Sequence, residues 1–227
     1  MKTINPPLLL FVISGILYFL SIVIDNEYLI LISKPIIFTS IFFYYLQESN
    51  GKIKFLFATV LLLLSLSGIL ILFEDDVTLR YVMLINILAY SILLGFVANS
   101  LYNINFKLLD NINLIYIFLM LLFLSCLLYL CLFVVFDPTS VLYLYYVVYG
   151  SVLLILGFLI TVLYVLNNSK DIVYLMIATF CFIICDLFHA IYFYYYELVF
   201  FRYTSVLCNI LSFYFLVHYF LLKNKNV

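Results

Sequence analysis

Asp186 and His189 lie three residues apart inside the apolar run FIICDLFHA, Phe182 to Ala190. On a helix, residues at that spacing share one face. A carboxyl and an imidazole on one face are the components of a general acid–base pair. Ionisable groups inside a greasy segment are costly, so each is read first as functional. This chain holds few: Lys34, Asp186, His189 and His218. A buried lysine could bind an anion or orient a carboxylate, or its ammonium could snorkel to an interface. Asp186 could instead be a structural residue with Lys34 as its partner, and His189 a packed, hydrogen-bonded side chain. His218 lies close to Lys223 and reads as interfacial.

The scaffold for these side chains follows from composition. Of 227 residues, 69% are hydrophobic and 9% charged. A soluble domain carries roughly 25% charged residues, so this chain cannot cover a water-facing surface and reads as an integral membrane protein. A net charge of −1 and the lack of a basic run exclude a nucleic-acid partner. Tyr, with 22 copies, can supply the interfacial aromatic belt in the absence of Trp. A bias toward Ile, Leu, Phe, Tyr, Asn and Lys fits a bacterial, low-GC host, and thus the cell (inner) membrane. Cys126, Cys131, Cys181, Cys185 and Cys208 all lie in apolar runs without C-x-x-C or zinc-like spacing. They read as small packing residues. No metal and no cofactor is called for.

A spanning helix needs about 20 mostly apolar residues. Breaks at charged or turn-forming clusters leave eight spans: Leu8–Ile24, Leu29–Tyr45, Ile53–Phe73, Leu79–Leu101, Ile112–Phe136, Val141–Leu166, Ile172–Tyr196 and Val199–Leu222. The expected fold is all-α, a polytopic bundle of eight transmembrane helices forming one domain over residues 1–227. Without a turn near Glu197, the last two spans would be too long for one crossing. The first span has a weak charged n-region and no small-residue cleavage site, so it reads as a retained helix. Pro35 is expected to start or kink its helix.

Lysines set the orientation. Lys2, Lys52, Lys54, Lys107, Lys170, Lys223 and Lys225 fall on one side; Arg80 and Arg202 fall on the other with most acids. Both termini are therefore expected in the cytoplasm. At 1.5 Å per residue, Lys34 lies about 10 Å inside Glu27, Asp186 about 16 Å and His189 about 12 Å inside Glu197. Ser67, Asn86 and Asn209 lie about 9–10 Å inside Glu74, Arg80 and Arg202. Six polar residues from five spans thus reach similar depths in the outer half, as a pocket open to the outer leaflet requires. Asn86 and Asn209 also suit an interhelical hydrogen-bonding role.

Three stretches carry a family resemblance: SKPIIFTSIFF (Ser33 to Phe43), LLLLSLSGILIL (Leu61 to Leu72) and ATFCFIICDLFHA (Ala178 to Ala190). They resemble the K-P element of the second helix, the S-x-x-G-D-x-x-L element of the third and the G-x-x-x-F-x-x-S-D-x-x-x-A element of the seventh helix of the YhhN-like, or lysoplasmalogenase, membrane proteins. Those are eight-helix proteins of about this length, so the resemblance covers nearly the whole chain. It implies hydrolysis of the vinyl-ether bond of lysoplasmalogens to a fatty aldehyde and a glycerophospho-base. A vinyl ether must be protonated at carbon before water attacks the oxocarbenium ion, which suits a general acid and a water-activating base. The pattern is broken at four positions. Ile69 stands where the family has Asp, Tyr90 where its fourth-helix His falls, and Cys185 and Ala178 replace Ser and Gly. Glu74, Asp75 or Asp76 would have to replace the missing carboxylate from the helix end.

Two functions follow as expectations. One is a lysoplasmalogenase-like membrane lipid hydrolase acting on a membrane lipid or lysophospholipid, with Asp186 and His189 catalytic and Lys34, Ser67, Asn86 and Asn209 binding substrate. The other, favoured by Ile69, is a non-enzymatic membrane protein that binds or carries a lipid or small molecule in the same pocket.

Overall fold

The computed structural model describes residues 5–49, 53–73, 75–102, 104 and 110–225. Lys2, Lys52, Glu74 and Lys107, and the side chains of Asp76 and Lys225, lie outside the described residues. Among the described residues eight α-helices run in chain order: α1 Pro6–Ile24, α2 Glu27–Glu48, α3 Phe55–Leu70, α4 Asp76–Tyr102, α5 Asn111–Leu130, α6 Tyr143–Leu166, α7 Lys170–Tyr194 and α8 Val199–Lys225. A 3-10 turn, Ile71–Phe73, prolongs α3, and a π-helical turn, Cys131–Val135, prolongs α5. No strand occurs among the described residues. All eight helices are long and apolar enough to cross a bilayer. The chain is an integral, multi-pass membrane protein.

Local chemistry explains the ends of α1 and the start of α2. Two prolines occupy the first turn of α1, where a missing N–H costs nothing. Asp25 closes α1 in the left-handed region (φ 55°), which Asp tolerates better than most residues. Asn26 then caps α2, its Oδ1 accepting from the Leu29 N–H at 3.1 Å. So α2 starts eight residues before Pro35. The proline lies inside the helix rather than at its start, and removes the ladder donor to the Leu31 carbonyl. The break expected at Glu197 is present, since α7 ends at Tyr194 and α8 begins at Val199.

Neighbouring helices pair as α1 with α2, α3 with α4 and, most intimately, α7 with α8; α6 packs on α4, out of chain order. The most deeply buried helix is α8, with Ser212, Leu216, Val217 and Phe220 fully enclosed. Small hydroxyls let the helices approach and still satisfy themselves. Ser14, Ser21, Ser40 and Ser212 donate to carbonyls three residues back, and Thr161 to one four back. Inside a bilayer such internal partners are obligatory. At one end, the Lys54 ammonium donates to the Lys223 carbonyl (3.3 Å), and Lys223 pairs with Asp171 (3.9 Å), tying α3, α7 and α8 together. Burial, with help from Lys223, holds Lys54 below the usual lysine range. His218, seven residues from the end of α8, packs against the rings of Tyr214 (4.4 Å) and Tyr174 (5.6 Å).

Candidate functional site

The six residues singled out from depth alone surround one cavity. Lys34, Ser67, Asn86, Asp186, His189 and Asn209 all line a polar space of about 160 Å³ between α1, α2, α3, α4, α7 and α8. That is room for on the order of ten water-sized molecules. Tyr18, Tyr90, Cys185, Tyr192, Arg202 and Ser205 complete its polar wall. Arg202 sits at the end where α1 turns into α2, bound to Asp25 at 2.9 Å.

Each helix brings its residue for an identifiable reason. Lys34 is only 9% exposed and its Nζ lies 5.8 Å from the centre of the Tyr18 ring. The ammonium therefore turns into the bundle and does not snorkel to the surface. It is also within electrostatic range of His189. On α3, Gly68 lies one residue past Ser67 because only glycine fits there: a Cβ would stand 2.4 Å from the Phe38 ring. The Ser67 hydroxyl is committed to the Leu64 carbonyl at 3.1 Å, so it contributes an acceptor lone pair to the cavity. Asn209 donates to the Cys185 sulfur at 3.6 Å, and Ser205 donates to the Cys185 carbonyl at 2.9 Å. These two bonds clamp α8 onto α7 one residue before Asp186. Asn209 thus has the interhelical role as well as a place in the wall.

Asp186 has a partner that sequence reasoning did not single out. The Tyr149 hydroxyl of α6 donates to its Oδ2 at 2.6 Å. Tyr149 in turn packs on Tyr90 (5.9 Å), which packs on Phe182 (5.6 Å). Tyr90 fills the position where the family resemblance expects histidine. A signal for both tyrosines existed, since they lie inside spans rather than in the interfacial belt, and a buried tyrosine hydroxyl usually has a partner. Ile69 packs against the hydrophobic core, so no carboxylate from α3 reaches Asp186. Asp75 does not replace it either: its carboxylate accepts from the Thr78 N–H on the exposed start of α4.

A second cavity, also about 160 Å³, lies on the other side of Asp186. It is a partly open cleft flanked by α4, α5, α6 and α7 and lined almost wholly by apolar side chains, including Leu124, Leu128, Leu154 and Ile183. Asn86, Asp186 and His189 line both cavities, as do Ile71 and Val82. The Asn86 Oδ1 is buried there without a hydrogen-bond partner among the described residues. No cluster of three His, Cys, Asp or Glu side chains suited to a metal ion occurs among the described residues. No family model, curated protein or solved structure matches the chain.

The chemical content of the site is therefore compact. One carboxyl, tied to a phenol through one oxygen, and one imidazole a helical turn away stand where a polar compartment meets an apolar one. A basic side chain, Lys34, lies on the polar side only.

Proposed function

We propose that the protein is a membrane-embedded hydrolase of the lysoplasmalogenase type, acting on a lysophospholipid whose polar head occupies the cavity of Lys34. The observation that carries this reading is the position of Asp186 and His189 on the wall common to the polar and the apolar cavity. An amphiphile changes character at its head–chain junction, and a vinyl ether lies at that junction. Asp186 donates its proton to the vinyl carbon, which leaves an oxocarbenium ion. The carboxylate so formed then takes a proton from water as the water oxygen bonds to the cationic carbon. The hemiacetal breaks into aldehyde and alcohol, with His189 moving the proton from the hydroxyl to the departing glycerol oxygen. The net reaction consumes one water and restores the carboxyl. Lys34 attracts the phosphate, and the unpartnered Asn86 oxygen accepts from a substrate hydroxyl. The lysine distribution favours both termini in the cytoplasm of a bacterial inner membrane, with the polar cavity facing the outer leaflet. Purified protein given lysoplasmalogen is expected to release aldehyde, and Asp186→Asn to abolish release. No aldehyde from the wild type, or undiminished release from the variant, removes the mechanism.

A second reading, a non-enzymatic protein that binds or carries a lipid or small molecule, is favoured by Ile69 and Tyr90, which stand where the resemblance expects Asp and His. Lipid retained through purification with no turnover would select it.

A further inference from the structure

The geometry points to the apolar cavity as the seat of a single hydrocarbon chain, admitted from the bilayer past α5, which serves as the cavity's movable wall. This deepens the hydrolase reading and rests on it for the chemistry, although occupancy by a chain can be tested without turnover.

Three observations carry it. First, α5 is the least anchored helix. Only 6% of its most apolar 18-residue window is buried, against 28–50% for the other seven. It packs on α6, while its closest approach to α7 is through the π-helical turn Cys131–Val135. A π turn interrupts the regular ladder and is frequent at functional sites. Second, the inward residues of α5 are the cavity wall. Leu124, Leu127 and Leu128, at one-turn spacing, line it while Phe118, Leu122 and Phe123 face outward. Leu128 seats over Gly150 of α6, where a Cβ would approach it to 2.5 Å. Displacing α5 would therefore widen the cavity's opening toward lipid. Third, aromatic contacts form part of the cavity's wall. Phe136 stacks on Tyr146 at 3.7 Å between centroids, and the Tyr146 and Tyr194 hydroxyls are 3.0 Å apart. All three residues line the cavity. Aromatic rings of this kind are at home at the bilayer interface. A chain lying between these rings and Asp186 would put its head-proximal atoms against the carboxyl and its methylenes against leucines.

The probe is a lysophosphatidylcholine with a diazirine on its acyl chain, doped into phosphatidylcholine vesicles that hold the full chain. After photolysis, adducts are expected on the inward wall, at Leu124, Leu128, Leu154 or Ile183. Ala190→Phe and Leu154→Phe each place a ring in the cavity, and each is expected to lose those adducts while outward adducts at Phe118 and Leu122 persist. Two variants from different helices guard against one that fails to fold. Adducts confined to the outward face of α5 in the wild type overturn the proposal, as do inward adducts that survive both variants. Inward adducts from this probe, together with no aldehyde release when the same vesicles are given lysoplasmalogen instead, would leave the chain site standing and sink the hydrolase reading alone.

Discussion

Removing the Tyr149 hydroxyl tests the centre of the site. Tyr149→Phe keeps the ring and its packing on Tyr90 and deletes the hydroxyl that donates to Asp186 Oδ2 at 2.6 Å and also meets the Tyr90 hydroxyl, so the cycle with Asp186 isolates the first contact. Its magnitude can be bounded from two directions. Hydrogen bonds between helices in a membrane average about 0.6 kcal/mol in double-mutant cycles, with a maximum near 1.7. At 2.6 Å the O–H···O contact to the Asp186 carboxyl is at the short end for such bonds, which places it in the upper part of that range. The Tyr149–Asp186 coupling is therefore expected at about 1–2 kcal/mol. The assay is a cycle of Tyr149→Phe, Asp186→Ala and the double variant, with unfolding followed in detergent. Using roughly 2–4 °C per kcal/mol for a chain of this size, Tyr149→Phe lowers the melting temperature by about 2–8 °C. Placing Asn at 186 keeps a neutral carbonyl acceptor of similar size, so coupling to Tyr149 should be largely retained. A coupling below about 0.3 kcal/mol would mean that the bond does not hold Asp186, and the orientation argument built on it would collapse.

Other predictions concern the frame. Gly68→Ala forces a Cβ to within 2.4 Å of Phe38, a ring that is itself held against Phe213 at 4.9 Å; it is expected to destabilise by about 1–3 kcal/mol, read from the unfolding midpoint. The exposed Arg202–Asp25 pair should contribute no more than about 1 kcal/mol, with Asp25→Asn losing less in high salt than in low. The Asp137 carboxylate accepts from the Thr139 N–H and hydroxyl, which hold it below the usual carboxylate range. Its contribution to stability is thus present above the unfolded value near 3.9 and lost as pH falls through the folded one. In Thr139→Val the hydroxyl bond is gone, and NMR titration of Asp137 should move back toward the ordinary value.

How much of this was readable in the chain differs by level. The eight helices were, because hydropathy and the need to break the run at Glu197 depend only on length. So was depth, since rise per residue is constant, and depth alone brought Lys34, Ser67, Asn86, Asp186, His189 and Asn209 to one level. Their shared facing was not, because helices apolar on every side carry little periodic signal to show which side meets protein. The pairing of α4 with α6 was equally hidden, as chain order gives no such neighbour. Tyr149 was lost among 22 tyrosines that an aromatic belt already explains. The π turn after α5 was also invisible, for it lies in CLFVV, a run as apolar as its surroundings.

The missing second carboxylate is the strongest objection to catalysis, and the arrangement around Asp186 answers it. A pair is required when acid and base must act in one transition state on opposite sides of a bond, as in inverting glycosidases. Vinyl-ether hydrolysis uses them in succession: protonation at carbon first, activation of water second. One carboxyl can do both if the proton leaves and returns through the same oxygen. Asp186 meets that condition, since Oδ2 is engaged by Tyr149 and Oδ1 remains for substrate and water. The order of events then sets a test. Proton transfer to carbon should limit the rate, so deuterated solvent should slow aldehyde release. Tyr149→Phe, which frees the second oxygen, should change the pH profile more than the binding of lipid. A hydrolase that needed a second carboxylate at Ile69 would instead gain activity from Ile69→Asp, and Tyr149→Phe would leave its pH profile where it was.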